Sequence, residues 1–306
     1  MKIILSIVIV LGLLYGIVVY FGSKYAFKSA FLCHKKNKSD SFNALNNRNM
    51  LDEEIYNDVN MEDVQIKSDD GLILKASLIE KFDFSDKYII LVHGYSDNRH
   101  IEIPFVRMFL KENFNILIVD QRNHGDSEGE YPTYGYYERK DLDRWIDFLV
   151  NRKGKDLFIG LFGQSMGGAT VLLCGANNNK VKFIIDDCGY SSAESLIKFH
   201  ISKYKHLPSK GIYKCLNRSV KKKCRFSFED VSPIKDICNS TVPILFIHGN
   251  NDKTVPYEMA EEMYKERKNN NDRIYIIDKC GHMESYGKDK EKYEKVVHEF
   301  LMNIYS

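Results

Sequence analysis

The sequence predicts an α/β protein built on a mostly parallel, doubly wound sheet, and three observations carry that reading. Six short apolar runs lack polar alternation: "YIILVHG" from Tyr88, "NILIVD" from Asn115, "DLFIGLFG" from Asp156, "VKFIIDD" from Val181, "PILFIHG" from Pro243 and "RIYIID" from Arg273. Strands apolar on both faces belong to parallel sheets covered by helices. Between the runs lie apolar residues at helical spacing, and alternating strand and helix imply right-handed crossovers. Finally, 306 residues at 44% hydrophobic and 28% charged suffice for one large core, without repeats or low-complexity tracts.

The chain opens with an added element. Ile3 to Ser23 is uncharged, long enough for a bilayer core of about 30 Å. A signal peptide has a shorter apolar region of about 7 to 15 residues, and "SKYAFKSAF" is a poor cleavage site. Residues 1–24 therefore read as an uncleaved transmembrane anchor. Lys24, Lys28, Lys35, Lys36 and Lys38 follow this span and only Lys2 precedes it, which places the remaining chain on the cytoplasmic side. Seven cysteines without a CxxC pair form neither a disulfide framework nor a zinc pattern. Cys33 reads as a juxtamembrane thiol, because "SAFLC" lacks the small residue expected before a lipidated cysteine. Residues 25–62, polar and rich in Asn and Lys, read as a juxtamembrane linker.

The folded domain is expected over residues 63–306. In "VQIKSDDGLILKASLIE", Asp69, Asp70 and Gly71 separate two β-like runs, which signals a hairpin. Leu142, Trp145, Ile146, Phe148 and Leu149 mark a helix after the second long strand. Tyr293, Val296, Val297, Phe300, Leu301 and Ile304 mark another near the C-terminus. From about 191 to 241 the rhythm is interrupted by an insertion. Its apolar residues, Leu196, Ile197, Ile201 and Tyr204, then Ile212, Tyr213, Leu216 and Val220, suggest two short helices parted by Pro208. Lys198 to Arg225 holds ten Lys/Arg and no Asp or Glu, leaving 34 basic and 42 acidic residues elsewhere. Such asymmetry attracts an anionic substrate or an acidic membrane surface; equally, the insertion fits a solvated lid whose apolar face packs on the core.

Ligands in open α/β sheets bind beyond the carboxyl ends of the strands. Ser165 stands at one such end, between Gly163 and Gly167, with "DLFIGLF" before it and "GGATVLLCGA" after it. A strand turning at once into a helix holds a serine in strain, and side chains at the flanking glycines would collide with backbone. A serine hydroxyl needs a histidine to take its proton and a carboxylate to orient that histidine, in the order Ser, acid, His. Asp252, past "PILFIHG", and His282, past "RIYIID", meet that order. Asp187, one strand earlier, is the competing acid, and Asp278 is read as a turn cap. His93, His124 and His248 sit in strand-end turns, where an imidazole satisfies backbone. Met166, at the helix start, and Tyr95, in "LVHGYSDN", supply the two backbone N–H groups of an oxyanion hole.

Taken in order, "HGYSDN", "DQRNHGDSEG", "GQSMGG", "HGNNDKTVP" and "CGH" resemble the α/β-hydrolase family, from about Asp63 to the C-terminus. Within it the chain is similar to a membrane-anchored bacterial branch of esterase or peptidase type. The resemblance implies Ser165 as nucleophile, Asp252 as acid, His282 as base, and neither cofactor nor metal. Tyr95 stands in a loop that departs from the lipase-type HGGG, so lipase specificity does not carry over. The expected activity is cleavage of carboxylic esters or thioesters through acylation of Ser165. A serine peptidase is the enzymatic alternative, and a hydrolase-like binding scaffold is the alternative of another class. The expected partners are a small or lipid-like acyl substrate and a membrane, through the N-terminal helix and through the basic lid, and not nucleic acid. The oligomeric state is open.

Overall fold

The computed structural model describes residues 1–32, 35–154 and 156–305, so Cys33 lies outside the described residues. Strands β1 (Glu62–Lys67), β2 (Ile73–Ile79), β3 (Lys87–Val92), β4 (Asn115–Val119), β5 (Phe158–Gln164), β6 (Val181–Asp187), β7 (Ile244–Gly249) and β8 (Arg273–Ile277) form one sheet. Its order is β1-β2-β4-β3-β5-β6-β7-β8. The six apolar runs supply β3 to β8, all paired in parallel with their neighbours. The β1–β2 hairpin adds the antiparallel edge through β2 and β4. Its turn closes with Gly71 donating to the Ser68 carbonyl at 3.0 Å, and Gly71 has φ +92°, a conformation cheap only for glycine.

The central strands β3 to β7 are largely apolar because each presents alternate residues to two cores. On β3, Ile89 and Leu91 enter one core while Tyr88, Ile90 and Val92 enter the other. On β7, Leu245 and Ile247 part from Ile244 and Phe246 in the same way. Helices cover both faces. In chain order they are α1 (Lys2–Phe31), α2 (Lys38–Asn47), α3 (Glu53–Asp58), α4 (Ile103–Lys111), α5 (Glu138–Lys153) and α6 (Met166–Gly175). Then come α7 (Ala193–Ser202), α8 (Ser209–Lys223), α9 (Pro233–Ile237), α10 (Glu258–Glu266), α11 (Ser285–Lys288) and α12 (Lys290–Tyr305). Leu142, Trp145, Ile146 and Leu149 of α5 are buried in one core, and Tyr293, Val297, Phe300 and Leu301 of α12 in the other.

Between β6 and β7, α7 and α8 form a third apolar cluster with Met166 and Leu173 of α6. Pro208 stands at the N-cap of α8 and ends the connection from α7.

The segment before β1 departs from the sequence reading. The α1 helix does not stop at residue 24, because "YAFKSAF" contains one charge, Lys28, but no helix breaker, and a charge does not end a helix. By length and composition α1 suffices to cross a membrane. Val19, Ser23, Phe27 and Phe31 are nevertheless buried against protein. Residues 25–62 are also no plain linker. Asn37 and Asp40 form a capping box that starts α2, and the Asp52 side chain caps α3. Leu45, Met50 and Ile55 lie in the same core as α12. Their apolar groups were hidden among asparagines and lysines, without a run long enough to show a period. Leu45→Ala should therefore cost about 2–5 kcal/mol in a denaturant titration, as a buried leucine does; a change within about 0.5 kcal/mol would return this segment to a linker.

Candidate active site

The parallel order brings the carboxyl ends of β3, β5, β6, β7 and β8 to one edge. Ser165 follows β5 directly and is the N-cap of α6, with φ 55° and ψ −115°. This is a strained backbone for a residue with a Cβ, and it persists only where the surroundings impose it. The Ser165 N–H donates to the Asp187 carbonyl at 2.8 Å, while the Ser165 carbonyl accepts from Ala169 at 3.1 Å. A Cβ on Gly163 would strike the Gly167 backbone, and one on Gly167 would strike Val92 and His93. At both glycines strand and helix close on the serine with no room for a Cβ.

Asp252 and His282 come from the turns after β7 and β8, which are tied together. The Asn251 N–H donates to the Cys280 carbonyl at 3.0 Å, and the Lys279 N–H donates to the Asn250 side chain at 2.7 Å. Asp278 accepts from Asn250 Nδ2 at 2.9 Å, a turn contact and nothing more. Across this pair of turns, His282 Nδ1 lies 2.6 Å from Asp252 Oδ2, and His282 Nε2 lies 2.8 Å from Ser165 Oγ. With its proton on Nδ1, the imidazole donates to Asp252 and accepts the serine hydroxyl at Nε2. An imidazole so held can take up the hydroxyl proton.

Asp252 is buried, which alone would push its pKa up, but hydrogen bonds with His248 and His282 hold it well below the usual carboxylate range. Its Oδ1 accepts the N–H groups of Thr254 (2.7 Å) and Val255 (2.9 Å), so the charge has partners on both oxygens. His248 satisfies the Val255 carbonyl at 3.0 Å, as a turn histidine should, yet its Nε2 also reaches Asp252 Oδ2 at 3.2 Å. That second imidazole on the acid is a contact that sequence reasoning missed. Asp187 does not touch His282. It is buried, which pushes its pKa up, and accepts from Gln164 (3.0 Å), Tyr293 (3.1 Å) and Ser285 (3.2 Å). The geometry thus separates the two candidate acids.

Tyr95 and Met166 line the same cavity as Ser165. The loop after β3 approaches closely: a Cβ on Gly94 would lie 3.2 Å from the Ser165 Cβ. His93 donates from Nδ1 to the Gly94 carbonyl (2.7 Å) and accepts from the Gln121 N–H (3.0 Å), which fixes this loop. His124 likewise holds the Arg122 carbonyl (2.8 Å) and the Ser96 N–H (3.0 Å). The cavity, about 670 Å³, falls within the range of small-molecule sites and is walled by α7, α8 and, unexpectedly, α1. Phe21, Gly22, Tyr25 and Ala26 line it beside Leu196 and Ile197 of the lid. Phe27 and Phe31, four apart beyond the expected span, pack beside the cavity in the lid's apolar cluster.

Among the described residues, Cys188, Asp252 and His282 bring ligand atoms within 4.8 Å of one another. Burial pushes the Cys188 thiol well above its usual range, and His282 has one nitrogen on Asp252 and the other on Ser165, which leaves it none for an ion. This set does not fit a metal.

Comparison with known proteins agrees with the architecture. The sequence profile of the alpha/beta hydrolase fold matches residues 87–189. The uncharacterized protein YqkD of Bacillus subtilis is 33% identical over 218 residues, 71% of each chain. The chain belongs to the α/β-hydrolase family. This hydrolase is also similar to the Pyrococcus furiosus esterase Pf2001, with a TM-score of 0.66 and 26% identity over 80% of this chain and 93% of that one. Thiohydrolase aneE of Aspergillus aculeatus is 30% identical over 131 residues, 41% of each chain.

Burial holds His93 down to about 4 and, with His93 beside it, His124 down to about 3. Both are thus neutral in the fold, whereas an unfolded histidine titrates at about 6.5. Their contribution is fully present above about pH 6.5 and is lost as pH falls toward their folded values, by up to about 1.4 kcal/mol per unit for each. Buried Asp186, pushed up to about 7, acts in the opposite sense, so the informative comparison is variant against parent. In detergent, the loss of stability between about pH 7 and about pH 5 should be smaller for His124→Asn than for the parent. An identical loss would show that His124 titrates alike in both states.

Proposed function

We propose that this hydrolase is a serine esterase of carboxylic esters or thioesters, anchored in a membrane by α1 with its catalytic part on the cytoplasmic side. The observation that carries the reading is the Asp252–His282–Ser165 relay, at 2.6 and 2.8 Å, beside an apolar cavity.

In this reading Ser165 Oγ bonds to the substrate carbonyl carbon as His282 Nε2 takes the hydroxyl proton. Negative charge moves to the carbonyl oxygen, toward the N–H groups of Tyr95 and Met166 and the positive end of α6. The C–O or C–S bond then breaks, and the alcohol or thiol leaves with the proton from His282. Water attacks the acyl-Ser165 ester, gives its proton to His282 and releases the carboxylic acid, with the proton returned to Ser165. Asp252 stays ionised throughout and stabilises the imidazolium, as its depressed pKa allows.

The cavity favours esters over peptides. Among the described residues its lining includes Lys203 but no carboxylate to hold a free amino terminus. A neutral or anionic acyl substrate fits that lining without an unpaired charge.

With p-nitrophenyl esters of graded chain length, Ser165→Ala should lower kcat on the order of 10⁶-fold. Asp252→Asn should lower it about 10⁴-fold by presenting the wrong imidazole tautomer. Asp187→Asn, away from His282, should cost far less. A larger loss for Asp187→Asn than for Asp252→Asn would reassign the acid, and an unchanged rate in Ser165→Ala would remove the serine mechanism.

A further inference from the structure

The α1 helix has less free length than a bilayer needs. Residues 2–18 are exposed, a stretch of about 26 Å at 1.5 Å per residue, against a hydrocarbon core of about 30 Å. Burial begins at Val19 and recurs at Ser23, Phe27 and Phe31. Roughly one helical turn of the span must therefore come from residues already packed on protein.

The protein they pack on is the lid. A Cβ on Gly211 would lie 2.7 Å from the Tyr15 hydroxyl and 2.8 Å from Val19, and one on Gly22 would lie 2.8 Å from Ile212. The first turn of α8 thus stands beside residues 15–22. Farther on, the Lys223 ammonium sits 4.5 Å above the Phe27 ring. The two helices therefore run the same way, and α8 leads out of the bilayer alongside α1. The α7–α8 connection, before Ser209, then faces the membrane. There Tyr204 and Leu207 are exposed apolar side chains with Lys203, Lys205 and Lys210 around them, the pattern of an interfacial contact with anionic lipid.

The cavity reaches the same edge. Phe21 and Tyr25 of α1 line it while 63% and 65% exposed, and Tyr204 and Leu207 line it from the lid side. They form its rim, with Ser165 at its inner end. We infer that this cavity opens at the bilayer surface and receives the acyl chain of a membrane-resident ester directly from the lipid, α1 being a wall of the substrate site as well as an anchor. The hydrolytic fate of that chain rests on the proposed role of Ser165, whereas its binding does not.

The test uses the full chain in vesicles of phosphatidylcholine and phosphatidylglycerol. A diazirine-bearing hexadecanoic acid, photolysed in the bilayer with the Ser165→Ala variant, should label residues 21–30 and 204–207. Adducts confined to residues 2–18 would overturn the inference. Independently, Ala26→Trp, which fills the α1 side of the cavity, should lower the ratio of the rate on a vesicle-embedded hexadecanoyl ester to that on a soluble butyryl ester by about tenfold or more. An unchanged ratio would also overturn it. Cavity labelling without Ser165-dependent hydrolysis of either ester would uphold the site and refute the esterase reading instead.

Discussion

The backbone turn at Ser165 is the constraint on which the rest of the site depends. At φ 55° and ψ −115° the residue is held in a conformation that a free chain would leave at once. It is kept there by β5 hydrogen-bonded between β3 and β6, by the Asp187 carbonyl, and by two positions where no Cβ fits. The strain aims the hydroxyl out of the sheet and sets the start of α6 beneath it. Each further element, from the turns after β7 and β8 to the loop after β3, is arranged around that fixed atom.

Electrostatics then distinguishes residues that look alike in sequence. Asp187 and Asp252 both end or follow strands and are both buried. Asp252 meets two imidazoles and two backbone N–H groups and stays ionised; Asp187 meets neutral donors, and burial pushes it up. The histidines divide similarly. His93 and His124, neutral and buried, fasten loops, while His282 keeps one nitrogen for the carboxylate and one for the serine. Position at a strand end nominates a group, and its partners decide what it can do.

Much of this was legible in the sequence, and the failures have physical causes. β3 to β7 were readable because strands buried on both faces cannot be polar, and β8, half-buried at the edge, because Ile274 to Ile277 stay apolar. Ser165, Gly163 and Gly167 were readable because steric demands on that turn admit few residues. The order Ser, Asp, His placed the remaining pair, although one sequence could not separate Asp252 from Asp187, whose difference is three-dimensional. The course of residues 25–62 was not legible. There α2 and α3 bury single apolar residues among polar ones, so no period emerges above composition. Nor was the place of α1 at the cavity: its exposed residues and its cavity-lining residues are equally apolar, and hydropathy does not say which face meets protein.

These features describe one device, a strained serine at the inner end of an apolar cavity whose wall continues as a membrane-length helix. The central claim is that Ser165 carries the acyl group during turnover. The most direct measurement is mass spectrometry of protein quenched in acid during steady-state ester hydrolysis. The account predicts a peptide spanning Ser165 heavier by the mass of the acyl group, absent in Ser165→Ala. An acyl adduct on another residue, or turnover with no adduct even when deacylation is slowed by His282→Ala, would contradict it.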